Sequence, residues 1–381
     1  MNLTRRSFLG SLGAGTAAAA LHPLVFASPA AATTAASPAR PGRTEVRLNG
    51  NENAYGPTAR VKRAMEEALS QSHRYPDDAR REFLELVART HRVSTDEVVI
   101  GCGSVELLHA AARAFTGPKK KLMTASPTFE EIGKVAEGLG APVVRVPLTK
   151  NFSHDLAAMR EKIGDDTGLV YICNPNNPTA SLTPRAELDA FVAQLPSQTY
   201  VLMDEAYHHF ATDSRDYVSF LDRPAPNDRV IVLRTFSKAH GLAGMRLGYG
   251  IGARGAIQRM TPEVGGRENA NVAVLRGAMA AMQDEPSTQL AVRRNAADRA
   301  EFMKQAERRK LAPIPSHANF AMMDIGRPVP AVIEQFKKRG VLVGRHFPPF
   351  DNCLRVSFGR PEDMKAFWLA WDQIPAIASR G

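Results

Sequence analysis

The most reactive chemistry in the chain is concentrated in Leu233-Arg234-Thr235-Phe236-Ser237-Lys238-Ala239-His240-Gly241-Leu242-Ala243-Gly244-Met245-Arg246. This stretch continues the apolar run Val230-Ile231-Val232-Leu233, so Lys238 stands just past a buried strand, with the hydroxyls of Thr235 and Ser237 beside it. A lysine amine in such a place suits imine formation, once its surroundings lower its pKa enough to leave it neutral. Arg246 adds a guanidinium fork that matches phosphate oxygens. A surface lysine, the ordinary fate of the residue, would need none of these neighbours.

Three further polar clusters follow apolar runs. Met203-Asp204-Glu205-Ala206-Tyr207 closes the run Tyr200-Val201-Leu202-Met203. A carboxylate at the end of a buried strand needs a cationic partner. A protonated pyridine nitrogen would serve, and Asp204 would then keep that ring an electron sink. Tyr207 is placed to bond the ring's phenolic oxygen. Taken alone, Asp204 to Tyr207 would equally serve a structural salt bridge. Cys173-Asn174-Pro175-Asn176-Asn177-Pro178-Thr179-Ala180 follows Leu169 to Cys173, and its prolines and asparagines enforce a fixed turn that can present a side-chain amide. Gly101-Cys102-Gly103-Ser104-Val105-Glu106 is a small-residue strand-to-helix turn, which exposes backbone N–H groups and a helix N-terminus to an anion. It lacks the spacing of a Walker loop or a dinucleotide fingerprint.

These clusters need a scaffold that brings strand ends together. Val98 to Ile100, Lys121 to Thr124, Pro142 to Val146, and the runs ending at Cys173, Met203 and Leu233 read as strands. Val61 to Ser70, Arg80 to Thr90 and Val105 to Ala114 read as helices. Continuous apolar strands alternating with helices predict an α/β fold with a mostly parallel sheet covered by helices. Ligands in such sheets sit beyond the carboxyl ends of the strands. The last hundred or so residues read as a smaller α+β domain, with strands at Asn319 to Met323, Val341 to Val343 and Leu354 to Phe358.

The 381-residue chain carries a net charge of +10, but its basic residues are scattered and no nucleic-acid motif appears. Three isolated cysteines give neither a disulfide framework nor metal-ligand spacing. The N-terminus has its own logic. Arg5-Arg6 is followed by Phe8-Leu9, a weakly apolar run to about Phe26, and an Ala/Ser/Pro/Thr stretch. This order predicts a twin-arginine secretory signal, export to the periplasm, and no stable membrane insertion after cleavage. The predicted organisation is a signal over 1–32, a tether over 33–44, an N-terminal arm over 45–70, a large domain over 71–268 and a small domain over 269–381.

The motifs occur in one familiar order: Leu48-Asn49-Gly50-Asn51-Glu52-Asn53-Ala54-Tyr55-Gly56-Pro57, Tyr75-Pro76-Asp77, the Gly101 turn, Asn174 to Thr179, Asp204 to Tyr207, Ser237-Lys238, Arg246 and Leu354-Arg355-Val356. From Arg47 onward the chain resembles the class I/II aminotransferases that use pyridoxal 5′-phosphate, most closely the histidinol-phosphate aminotransferase family. The resemblance implies fold type I and a homodimer with shared active sites. It implies that Lys238 forms the imine and shuttles a proton, and that Asp204 pairs with the pyridinium. It implies ring contacts from Tyr207, Asn177 and a stacked Phe129. Gly103, Ser104, Thr235, Ser237 and Arg246 would hold the phosphate, with Tyr75 reaching from the partner subunit. Arg355, helped by Arg345, Tyr55 and Asn53, would take the substrate.

The activity so implied moves an amino group between a small amino acid or amino-phosphate and a 2-oxo acid. The same scaffold also supports amino-phosphate decarboxylation, β-elimination, or non-catalytic cofactor binding. Three places depart from the family pattern: Ala180 stands for a glycine, Glu130-Glu131-Ile132 follows Phe129, and Val343 to Phe350 is unusual before Arg355.

Overall fold

The computed structural model describes residues 45–223, 228–266 and 269–375. The signal and tether expected over 1–44 lie outside them. In chain order the main elements are β1 (Val46–Leu48), α1 (Ala59–Ala68), α2 (Asp77–His91), β2 (Val98–Gly101), α3 (Ser104–Phe115), β3 (Lys121–Ser126), α4 (Glu131–Gly138), β4 (Val143–Pro147), α5 (Leu156–Glu161), β5 (Thr167–Cys173), α6 (Arg185–Ala193) and β6 (Tyr200–Asp204). They continue with β7 (Val230–Thr235), β8 (Gly248–Ile251), α7 (Arg254–Met260), α8 (Val272–Met282), α9 (Glu285–Arg308), β9 (Ala312–Pro313), β10 (Phe320–Asp324), α10 (Val329–Lys338), β11 (Val341–Val343), β12 (Cys353–Ser357) and α11 (Pro361–Asp372).

Seven strands form the main sheet in the order β2-β8-β7-β6-β5-β3-β4. The apolar runs behave as their composition requires: every residue of β5 is buried, because helices cover both faces. One face packs α3, α4 and α7 around Leu107, Leu108 and Ile257, and the other carries α5 and α6 around Met159, Leu188 and Phe191. On that second face α8, within the segment 269–381, packs in one cluster with α1, α2 and Ile100 and Ile251 of the sheet.

All neighbouring pairs from β7 through β4 are parallel, whereas β8 is antiparallel to both β2 and β7. Two reversals leave β2 parallel to the rest. The carboxyl ends at Gly101, Cys173, Asp204 and Thr235 therefore share one edge, and register ties them laterally: Gly101 faces Gly248, Gly248 faces Thr235, and Asp204 faces Cys173. The glycine at 248 is a packing requirement. A Cβ there would stand 2.5 Å from the Ser104 nitrogen, so its absence lets α3 start close against the sheet.

A second, antiparallel sheet runs β12-β10-β9, and β1 pairs in parallel with β11, Val46 opposite Val341. Their shared core is aromatic. Phe336 stacks on Phe367 at 4.9 Å, and Phe302 lies 5.2 Å from Trp368. Among the described residues no helix is long and apolar enough to cross a membrane, and no cluster of His, Cys, Asp and Glu could hold a metal ion.

Candidate active site

At the shared strand edge, β2, β7 and the start of α3 build a seat for an anion. Gly103 has φ +76°, a conformation glycine adopts without strain, and it hands the chain to α3 at Ser104. Ser237 Oγ accepts from Thr235 Oγ1 at 3.0 Å and from Arg246 Nη1 at 3.2 Å, which leaves its own proton for a further acceptor. Arg246 lies hard against Gly103, where a Cβ would come within 2.1 Å of Nη2. Hydroxyls, a guanidinium and a helix N-terminus thus converge on one point, the composition of a phosphate site.

Next along the edge, Asp204 is buried. Its Oδ2 accepts from Tyr171 Oη at 2.9 Å and its Oδ1 from the Ala206 nitrogen at 3.1 Å. Burial raises its pKa to about 6 in spite of these bonds, and no cation pairs with it among the described residues. Lys238 Nζ donates to the Asn51 carbonyl at 3.0 Å, with Gly50 O more distant at 3.5 Å. Burial, then the nearby Arg355, lowers the amine to about 8. The amine lies 5.5 Å from the centre of the Tyr207 ring.

Arg355 on β12 faces the same space. Its Nη1 donates to Asn177 Oδ1 and its Nη2 to the Asn49 carbonyl, each at 2.7 Å, and among the described residues its Nε has no partner. Burial lowers its pKa to about 10, which leaves it cationic at neutral pH, and all its acceptors are neutral. Arg345 sits further out. It donates to Glu130 at 2.7 Å, and both guanidinium groups lie against the Phe347 ring, Arg345 at 4.2 Å and Arg355 at 4.6 Å from its centre.

One cavity of about 1010 Å³ gathers Ser104, Phe129, Asn177, Asp204, Tyr207, Thr235, Ser237, Lys238, Arg246, Arg345 and Arg355, with Gly103 behind Arg246. Three expected residues lie elsewhere. Tyr55 bonds Asp298 at 3.1 Å and lines a separate cavity of about 300 Å³ with Asn53, whose amide bonds the Ala239 carbonyl. Tyr75 is 75% exposed and outside both cavities. Sequence reasoning assigned no role to Asn51, Tyr171 or Asn319. Asn51 lies in the motif Leu48 to Pro57, but nothing in its type announces that its carbonyl meets Lys238.

These residues fit pyridoxal phosphate. Asp204 is a buried carboxylate short of a cation, which a protonated ring nitrogen would supply. The seat at Ser104, Thr235, Ser237 and Arg246 fits the phosphate, and Lys238 is neutral enough at its pKa to attack a carbonyl. When bound, the cofactor supplies an electron sink that lets a proton leave the substrate's Cα. Lys238 Nζ, which faces the same cavity, would hold and move that proton. Arg355 opens on the same cavity, where its guanidinium would meet a substrate's anionic group.

The profile of the aminotransferase class I and II family matches residues 43–368. The histidinol-phosphate aminotransferase of Moorella thermoacetica is 35% identical over 333 residues, 87% of this chain and 86% of that protein. That of Bacillus subtilis is 34% identical over 320 residues, 83% of this chain and 88% of the other. The crystal structure of histidinol-phosphate aminotransferase from Sinorhizobium meliloti in complex with pyridoxal-5′-phosphate matches with a TM-score of 0.77 and 27% identity, covering 85% of this chain and 89% of that one. Family, fold and site agree: the chain belongs to the class I and II aminotransferases and is a pyridoxal-phosphate-dependent aminotransferase.

Proposed function

We propose that this enzyme moves an amino group from a small amino donor bearing one anionic group, an α-amino acid or an amino-phosphate of the histidinol-phosphate kind, to a 2-oxo acid. The observation that carries this reading is Arg355, a buried guanidinium with two donors already braced by neutral acceptors and, among the described residues, no carboxylate partner, opening on the cavity that holds Lys238. Buried cations of this kind are compensated by a ligand's charge. The names of the relatives support a phosphate-bearing donor as one member of the class. The test is a spectral titration of the purified, cofactor-loaded protein with histidinol phosphate and with aromatic, acidic and basic amino acids. Conversion of the bound cofactor to its aminated form, reversed by a 2-oxo acid, identifies the donor. An imine band that no donor converts to the aminated form would point to decarboxylation, elimination or a non-catalytic binding role.

We further propose a homodimer in which Tyr75 acts on the partner's cofactor, a reading supported by its exposure. Mixing Tyr75→Phe with Lys238→Ala chains should restore activity that neither has alone. A fully active monomer by light scattering would end the idea. Export through the twin-arginine route to the periplasm rests on Arg5-Arg6 and the apolar run after them. Replacing both arginines by lysine should hold the protein in the cytoplasm, and an unchanged distribution would refute it.

A further inference from the structure

Asn51 is buried and has φ +52°. Few side chains accept the left-handed region, and asparagine is among them. The conformation turns the Asn51 carbonyl toward Lys238, whose Nζ donates to it at 3.0 Å. A second donor fixes that carbonyl: Asn319 Nδ2 bonds Asn51 O at 3.0 Å and Glu52 O at 3.1 Å. A neutral amine has two N–H bonds and one lone pair. With its N–H groups directed to the carbonyls of Asn51 and, at longer range, Gly50, the lone pair points away from this arm, into the cavity.

The side chain of the same residue does a second job, and its orientation is settled by the network. Ser357 Oγ accepts from the Asn51 nitrogen at 2.8 Å, so its single proton is free to go to Asn51 Oδ1, 3.1 Å away. That leaves Nδ2 facing Tyr207 Oη at 3.0 Å. An amide N–H can only donate, so the Tyr207 oxygen is the acceptor there. Its own proton must be donated elsewhere, and the ring lines the cavity.

We propose that Asn51 is a positioning residue for this reaction: its carbonyl aims the Lys238 lone pair, and its amide, locked by Ser357, makes Tyr207 a donor into the cavity. The inference rests on the aminotransferase reading of the site but not on which donor is used. The two halves separate by substitution. Asn51→Gly keeps a residue at ease with positive φ, and so the carbonyl, but removes the amide. Asn51→Asp keeps the shape, invites the Tyr207 proton to turn toward it, and sets a negative charge beside the amine, which strengthens its hold on a proton. Ser357→Ala frees the amide to flip, and Ser357→Thr keeps the hydroxyl.

The experiment is a pH titration of the bound cofactor's visible absorbance in the full-length, loaded enzyme without substrate, read beside kcat and KM. For Asn51→Asp we expect the acid limb of kcat to move up by about one pH unit. For Asn51→Gly and Ser357→Ala we expect a shifted cofactor titration and a fall in kcat of about tenfold with little change in KM, one hydrogen bond's worth. Ser357→Thr should restore both. Should Asn51→Asp, Asn51→Gly and Ser357→Ala all fold, with cofactor titrations and kcat like the parent's, the network is merely structural and the proposal is overturned. A parent protein with no visible cofactor band would overturn the cofactor assignment itself, an outcome distinct from parent-like variants.

Discussion

Replacing Arg355 tests whether the cavity reads an anion. The guanidinium is 8% exposed and, with a pKa of about 10, is charged at pH 7. Because Asn177 and the Asn49 carbonyl already fix its plane, an arriving carboxylate or phosphate meets a fork that need not be ordered. Each charge-assisted bond in such a place contributes about 1.5–3 kcal/mol. Two of them, at about 3–6 kcal/mol, correspond to roughly 10²- to 10⁴-fold in kcat/KM for Arg355→Ala. Arg355→Lys keeps the charge, loses the fork and deprives one acceptor of its donor, so about 10- to 100-fold is expected. Since ground state and transition state both carry the anion, most of the change belongs in KM. The assay compares kcat/KM for an anionic donor and for the same amine lacking the anion. If both donors lose equally, Arg355 supports the cavity wall and does not read the substrate.

Lys238→Ala should abolish the imine absorbance of the loaded protein while leaving its circular dichroism intact; an unchanged visible spectrum would mean another lysine carries the cofactor. Gly103→Ala places a Cβ 2.1 Å from Arg246 Nη2 at φ +76°, so the anion seat must open. A stability loss of about 1–2 kcal/mol and at least a tenfold weaker cofactor affinity by fluorescence titration are expected, and parent-like affinity would show that the Arg246 position is not needed. Acid should unfold the protein through buried imidazoles. Burial lowers His91, His154 and His240 to about 4, and His208 and His209 well below the usual value. Their folded pKa values lie below the unfolded one, so the unfolded chain binds protons first. Stability then falls as pH drops from about 6.5 to about 4, by about 1–3 kcal/mol for each of His91, His154 and His240. Asp204, raised to about 6, works in the opposite direction but is one group against these. Urea midpoints at mildly alkaline and mildly acid pH, with His240→Phe losing less than the parent, check it; equal losses would count against the cluster.

The strands that end in chemistry were legible because burial on both faces writes itself as an unbroken apolar run, as in Leu169 to Cys173. Residues at their carboxyl ends followed from topology alone. β8 was not legible. Its alternating Gly248 and Gly250 read against a strand, and only the approach of α3 to the sheet explains Gly248. Nor was β1, three residues whose partner β11 lies nearly 300 positions away. In the site, side-chain chemistry could be read from residue type, which is why Lys238, Asp204 and Arg246 stood out. A backbone carbonyl is common to every residue, so the contact of Asn51 with Lys238 leaves no mark in composition. Tyr171 was read as part of an apolar run, although its hydroxyl reaches Asp204. Tyr55 and Asn53 were expected at the substrate, and the fold places them behind the lysine turn instead.

Arg355 and Lys238 share a field as well as a cavity, since the guanidinium is the leading charge that loosens the amine's hold on its proton. An anion docking on Arg355 offsets that repulsion. Anion binding at one residue and proton binding at the other are therefore linked, and linkage is reciprocal. For the free amine near its pKa of about 8, each arriving anion draws in a fraction of a proton, and each departing anion gives it back. Charge recognition at one end of the cavity wall would thus bias proton occupancy at the other.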